Sequence, residues 1–274
     1  LFSTVVFISN SPLEKDDKTK LQKELNIDIV IERDNTGFDF AAWRDGMDYV
    51  GFDHLEKYDS VTLMNDTCIG PLWPLEPYFR SFESAIDCDF WGMTNFKKTK
   101  YFREHVQSYF VSYSREVVSS KVFKSFWMNV KSYDNVRQVI DNYETKFTSE
   151  LKRTGFNYQV VFNTLGEKSD DMLHPDFSYY RPFDILNHRV PFLKIKALQS
   201  HQEQANLLET RIKKDLEDTR KHQFDNFIPY IQLHEFEALV FASINGIDSL
   251  FERSEMDYKG LMNVIQQYPN PEDI

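Results

Sequence analysis

The chain is poor in cysteine, in positive charge and in long apolar runs. Only two of its 274 residues are cysteines, Cys68 and Cys88. Two thiols are too few for a disulfide framework or a structural zinc site. Both lie in apolar stretches, which predicts buried, reduced thiols and a reducing compartment. Acidic residues outnumber basic ones by 43 to 32, for a net charge of −11. Such a chain is a poor electrostatic partner for phosphate backbones, so nucleic-acid binding is not expected. No apolar run approaches the ~18–20 residues of a membrane span, and no signal peptide is visible. The expected location is the cytoplasm, with at most peripheral contact at the inner face of the membrane. No internal repeat and no low-complexity tract is present.

What is present is a large apolar and aromatic complement, 41% and 15% of residues, with 24 Phe and 14 Tyr. This suits a sizeable core and argues against disorder. The β-branched run Thr4–Ile8 reads as a buried strand. Ser11, Pro12 and Glu14 have the spacing of a helix start, predicting a helix to about Leu25. A strand at Ile27–Ile31, a break at Asn35-Thr36-Gly37, a helix from about Phe40 to Tyr49 and a strand at Ser60–Met64 follow. Further strands are expected at Asp89–Trp91, Phe110–Tyr113 and Asn157–Phe162, and helices at Lys121–Val130 and Val136–Thr154. Strand–helix alternation at this spacing predicts an α/β domain with a mostly parallel sheet.

Character changes after Leu198. The segment beyond carries 7 Lys and Arg against 14 Asp and Glu. Residues 199–225 read as an exposed helical connector, with Leu208, Ile212 and Leu216 four residues apart and Glu209/Lys213 and Lys214/Asp218 as i,i+4 pairs. Residues 226–274 read as a small partial α/β piece with a helix at Phe227–Ser243. His234 and Glu235 suggest a metalloprotease motif, but position 238 is Ala where the second histidine belongs.

The chemistry-bearing block runs from Glu32 to Pro71. Open α/β sheets bind ligands at the carboxyl ends of strands. A carboxylate there can hold a divalent ion against a diphosphate and neutralise the leaving group. Asn35 and Gly37 would shape a turn near the donor, with Asp39 and Asn65 beside it. Asp66, closing the strand Ser60–Met64, would face the metal or the donor sugar, as it does in nucleotide-sugar transferases of the GT-A kind. As turn formers these residues need no such role, and Asn65-Asp66-Thr67 offers one carboxylate where many such enzymes have two.

The segments Gly37–Gly46, Asn65–Leu72, Asp89–Thr94, His105–Phe110 and Tyr180-Arg181-Pro182 resemble signatures of the rhamnan synthesis protein F family. The resemblance covers about Thr4 to Leu198. It implies a GT-A-like (Rossmann-like) domain over residues 1–198, lacking its first strand, that moves a deoxy-sugar, rhamnose, from a dTDP-rhamnose-like nucleotide-sugar donor to a glycan acceptor in cell-surface polysaccharide. It also implies an inverting mechanism with Mg²⁺ or Mn²⁺ as the expected ion and Asp66 as its ligand. In inverting members of the GT-A kind an acidic residue opens a helix that closes on glycine and an aromatic. Tyr143-Glu144 to Gly155-Phe156 is similar and makes Glu144 the expected general base, with Asp39 in reserve. His105 and Gln107 are expected at the diphosphate or the acceptor. Two rival readings are an inactive interaction module, favoured by the absent strand, and a TOPRIM-like nuclease-associated fragment. The latter rests on the segment Pro229–Phe241, with His234, Glu235 and Glu237 as its site residues.

Overall fold

The first three elements, β1 (Val6–Ser9), α1 (Lys15–Lys23) and β2 (Ile29–Glu32), form a strand–helix–strand unit with β1 and β2 parallel, Val6 opposite Ile29. The computed structural model describes residues 1–170, 172–200, 211, 213 and 214. The chain divides into two units, Leu1–Ile195 and Lys196–Ile274. The cap expected at Ser11 does not form. Glu32 Oε1 accepts the Leu13 N–H at 2.6 Å, which holds the chain extended, and α1 starts later with Glu14 at its cap position.

The next elements are α2 (Phe38–Val50), the single turn α3 (Phe52–Leu55), β3 (Ser60–Met64), β4 (Cys68–Ile69), α4 (Glu76–Glu83), β5 (Phe90–Phe96), β6 (His105–Val106) and β7 (Phe110–Ser114). Then come α5 (Arg115–Ser119), α6 (Lys121–Met128), α7 (Val136–Val139), a π-helical turn (Ile140–Glu144), α8 (Thr145–Arg153), β8 (Tyr158–Phe162), α9 (Phe177–Tyr180), α10 (Pro182–Asn187), β9 (Leu193–Lys194) and α11 (Ile195–Ser200).

The domain is α/β, but the expectation of a mostly parallel sheet is corrected. In the five-stranded sheet β7 runs antiparallel to both β3 and β5, β6 runs antiparallel to β5, and only β8 joins β5 in parallel. The connections explain it. The short return at 97–104 reverses the chain between β5 and β6, and after the link at 107–109 β7 runs on in the same direction along β5. Only β8 is reached through a run of helices, the connection a parallel pair needs. The pair β1–β2 forms its own two-stranded sheet, and β4 pairs with β9.

An aromatic core fixes the helices. Phe40 and Trp43 of α2 meet Trp127 of α6, and Phe123 and Trp127 meet Phe147 of α8. Phe123, Trp127 and Leu151 are fully buried. Truncating a buried aromatic of this kind costs about 3–5 kcal/mol.

The two thiols are free and half-buried, less enclosed than the sequence suggests, and burial pushes each up to about 11. In the second unit, described residues beyond Ile195 are helical, at 196–200, 211, 213 and 214. The rest of the expected connector at 199–225, the partial piece at 226–274, and His234, Glu235 and Glu237 lie outside the described residues. Among the described residues no helix is long and apolar enough to cross a membrane.

Candidate active site

The site is built around the N-terminal end of α2. Gly37 precedes the helix with φ of 77°, a left-handed conformation that favours glycine. Its N–H donates to the Tyr133 carbonyl at 3.1 Å, and a Cβ here would lie 2.7 Å from Ser132 Cα. The residue is therefore needed both for its backbone angle and for the close approach of the 132–133 loop. Asn35 sits exposed on the turn just before it, where the Thr36 N–H donates to the Asp34 carbonyl at 2.8 Å.

One turn of α2 then reaches the end of β3 twice. Trp43 Nε1 donates to the Met64 carbonyl at 3.2 Å, and Asp39 Oδ2 accepts from Asn65 Nδ2 at 2.9 Å. The other end of the Asn65 amide accepts from the Thr67 hydroxyl at 2.7 Å and from the Thr67 N–H at 3.3 Å. Asn65 thus closes a local turn, a habitual use of asparagine, and leaves Asp66 exposed at the strand's carboxyl end. β4 is held in turn by β9, with Cys68 opposite Lys194, and Ile195 N–H donates to the Thr67 carbonyl at 3.0 Å.

Glu144 arrives from the far side of the core. It ends the π-helical turn inside an unbroken helical run from Val136 to Arg153, and Gly155 follows that run with φ of 99°. π-Helical turns are rare and occur often at functional sites. Glu144 Oε1 accepts two bonds from one residue, the Ser108 N–H at 3.0 Å and the Ser108 hydroxyl at 2.8 Å. Burial holds the Asp39 carboxyl above its usual range; the Asn65 bond opposes this, and the negative charges of Asp66 and Glu144 add to it. Asp39, Asn65, Asp66 and Glu144 therefore share one electrostatic neighbourhood.

Gln107 and His105 are placed differently. Gln107 is buried, with Oε1 accepting from the Thr94 hydroxyl at 2.7 Å and Nε2 donating to Asp176 Oδ1 at 3.0 Å. Both ends of its amide are engaged inside the protein. His105 is 4% exposed, lies flat on Phe96 with centroids 5.1 Å apart, and has Nδ1 2.7 Å from the Arg103 carbonyl. These contacts seat the β5–β6 turn; the sequence expectation was contact with the diphosphate or the acceptor.

Three participants were not singled out from the sequence. Ser108 sits inside the segment His105–Phe110, but only the fold shows that it grips Glu144. Asp176 is enclosed by Gln107, by the Ser178 hydroxyl at 2.5 Å and by Lys194 Nζ at 3.4 Å. Burial alone would raise its carboxyl, but the Lys194 charge and these bonds outweigh it and hold the group below its usual range. Lys194 also lies over the Tyr109 ring, 5.5 Å from its centroid. No local pattern links positions 107, 176 and 194.

Among the described residues no group of three or more His, Cys, Asp or Glu side chains could hold a metal ion. A protein-only metal cage is thus not formed by them. Magnesium bound against a substrate's phosphates requires only one or two protein carboxylates, and exposed Asp66 can supply one.

Comparison with known proteins adds the family. A model described as rhamnan synthesis protein F matches residues 5–239, continuing past Leu198. The uncharacterized protein y4gN of Sinorhizobium fredii is 30% identical over 160 residues, 58% of this chain and 40% of that protein. Virulence protein VirA of Vibrio anguillarum is 30% identical over 146 residues, 52% of this chain and 45% of that protein. The aligned part is under half the length of each relative. No solved structure matches.

Proposed function

Because the chain belongs to the rhamnan synthesis protein F family, we propose that it is a glycosyltransferase that moves a deoxy-sugar, rhamnose, from a nucleotide-sugar donor to a growing cell-surface polysaccharide, with inversion at the anomeric carbon. The observation that carries this reading is the convergence of Asp39, Asn65 and Asp66 from one side with Glu144 from the other. A transferase needs a group that handles the diphosphate and a base that handles the acceptor, and the two sides supply these separately.

Glu144 is the base. Ser108 occupies its Oε1 with two donors, so the other oxygen is the one to take the acceptor hydroxyl's proton. As that proton leaves, the acceptor oxygen bonds to the anomeric carbon and the bond from that carbon to the diphosphate oxygen breaks. The electron pair departs with the diphosphate. Concerted proton removal matters because a sugar hydroxyl is a weak nucleophile, and such catalysis contributes about 10²–10⁴-fold. Asp66 faces the diphosphate, where a Mg²⁺ or Mn²⁺ ion bound through it would neutralise leaving-group charge. Asn65 keeps Asp66 outward by closing the 65–67 turn, and Gly37 and Asn35 shape the neighbouring wall.

The test is release of dTDP from dTDP-rhamnose with and without Mg²⁺ or Mn²⁺, comparing the parent with Asp66→Ala and Glu144→Gln. Loss of release in both supports the assignment. Parent-like rates in both variants remove the mechanism and leave only the family.

A further inference from the structure

A nucleotide sugar brings a diphosphate into a neighbourhood that already holds the carboxylates of Asp39, Asp66 and Glu144. Like charges repel strongly in a partly dry site, so a diphosphate there needs cations beside it. An ion held through Asp66 supplies part of that charge. Lys194 is placed to supply more.

The β4–β9 pair carries Lys194 to the stretch that follows Asp66. Its Cα lies opposite that of Cys68, two residues beyond Asp66, and the Ile195 N–H donates to the Thr67 carbonyl at 3.0 Å. The register is therefore pinned on both sides of position 194. The Cys68 thiol feels the charges of Lys194, Asp176 and Asp66 together, so the ammonium and the Asp66 carboxylate both lie within reach of one side chain.

Lys194 is loosely engaged. Its Nζ stands 3.4 Å from Asp176 Oδ2, beyond the ~2.7–2.9 Å of a close ammonium–carboxylate bond. Asp176 takes its shorter bonds on the other oxygen, from Gln107 and from the Ser178 hydroxyl. Beneath the ammonium lies the Tyr109 ring, which is fixed through its hydroxyl, 2.8 Å from that of Thr94. An ammonium has three donors, and among the described residues the Asp176 contact engages one. The side chain is 22% exposed, so its head is not sealed. The result is a cation held from behind with donors left over.

We propose that Lys194 contacts the sugar-linked phosphate of the donor diphosphate, with Asp176 and Tyr109 as the residues that position it. This rests on the transferase reading and names how its donor is held. Charge grows on that phosphate as its bond to the sugar breaks, and a fixed ammonium beside it stabilises the leaving group with no proton transferred. Gln107, expected at the diphosphate from the sequence, then acts one contact behind it, through Asp176.

The experiment is calorimetry of dTDP and of dTMP on the whole chain in Mg²⁺ buffer. The outer phosphate of dTDP is the one that carries the sugar in the donor, and dTMP lacks it. Lys194→Gln is expected to weaken dTDP by about tenfold or more, the worth of one hydrogen bond to a charged group, and to leave dTMP unchanged. Lys194→Arg, which keeps the charge, should hold dTDP well above the Gln variant. Equal weakening of both nucleotides by Lys194→Gln would assign the lysine to the fold and overturn the proposal. Unchanged dTDP affinity in Lys194→Gln overturns it too, as does an Arg variant that falls as far as Gln. A parent chain that binds neither nucleotide rejects the transferase reading itself, and this assignment with it.

Discussion

The Phe40 ring stacks on the Tyr143 ring, centroids 5.6 Å apart and planes 27° from parallel. Asp39 precedes the first in sequence and Glu144 follows the second. One aromatic contact in the core thus fixes the approach of the two carboxylates at the surface. Tyr143 is further anchored at Lys131, whose N–H it accepts at 2.6 Å and whose carbonyl it reaches at 3.2 Å.

Glu144→Gln is expected to cut the transfer rate by about 10²–10⁴-fold, the usual contribution of a general base. Glutamine keeps an oxygen for the two Ser108 donors, so the fold and donor affinity should persist. Steady-state transfer together with calorimetry of the nucleotide sugar checks this. A parent-like rate would remove Glu144 from the chemistry.

Asp39→Asn should separate stability from function through pH. A carboxyl held above its unfolded value binds its proton more tightly in the folded state. Its favourable contribution is full below the unfolded value and is lost as pH rises through the folded one. The variant should therefore melt higher than the parent near neutral pH, with the advantage shrinking in acid. Thermal melts between about pH 3.5 and 7 decide it, and a gap that does not vary with pH would contradict the burial argument.

Gly37→Ala is predicted to destabilise the fold by more than about 1 kcal/mol, since alanine is strained at that positive φ and its Cβ meets the Ser132 backbone. For a domain of this size each kcal/mol lowers the melting point by roughly 2–4 °C. An unchanged melting temperature would show that the 132–133 loop yields freely.

Asp176→Asn removes the charge that Lys194 faces, and should cost about 1–3 kcal/mol near neutral pH. Because the Asp176 carboxyl is held below its usual range, its contribution is present above the unfolded value and fades as pH falls through the folded one. The deficit measured by denaturant unfolding should accordingly narrow in acid. A variant as stable as the parent would show the Lys194 pairing to be dispensable.

Local chemistry made much of the first unit legible. The β-branched runs that became β1, β3 and β7 could be placed because side-chain shape and alternation act within a few residues. The break at Asn35-Thr36-Gly37 and the helix after it followed from the turn-forming character of those residues. What misled was the start of α1, where Glu32, a residue of the next strand, captured the Leu13 N–H and cancelled a locally sound cap. Strand direction misled for the same kind of reason, because the return between β5 and β6 carries no distinct signature in residue type.

The sequence by itself determined the list of candidates: a lone carboxylate after a strand, an acidic residue in a later helical stretch, and a glycine turn ahead of both. Tertiary structure alone decided that Ser108 grips Glu144, that Gln107 spends its amide on Thr94 and Asp176, and that His105 is sealed against Phe96. Those facts depend on contacts between residues far apart in the chain, and packing sets them through the volume and direction of side chains that no short window of sequence contains.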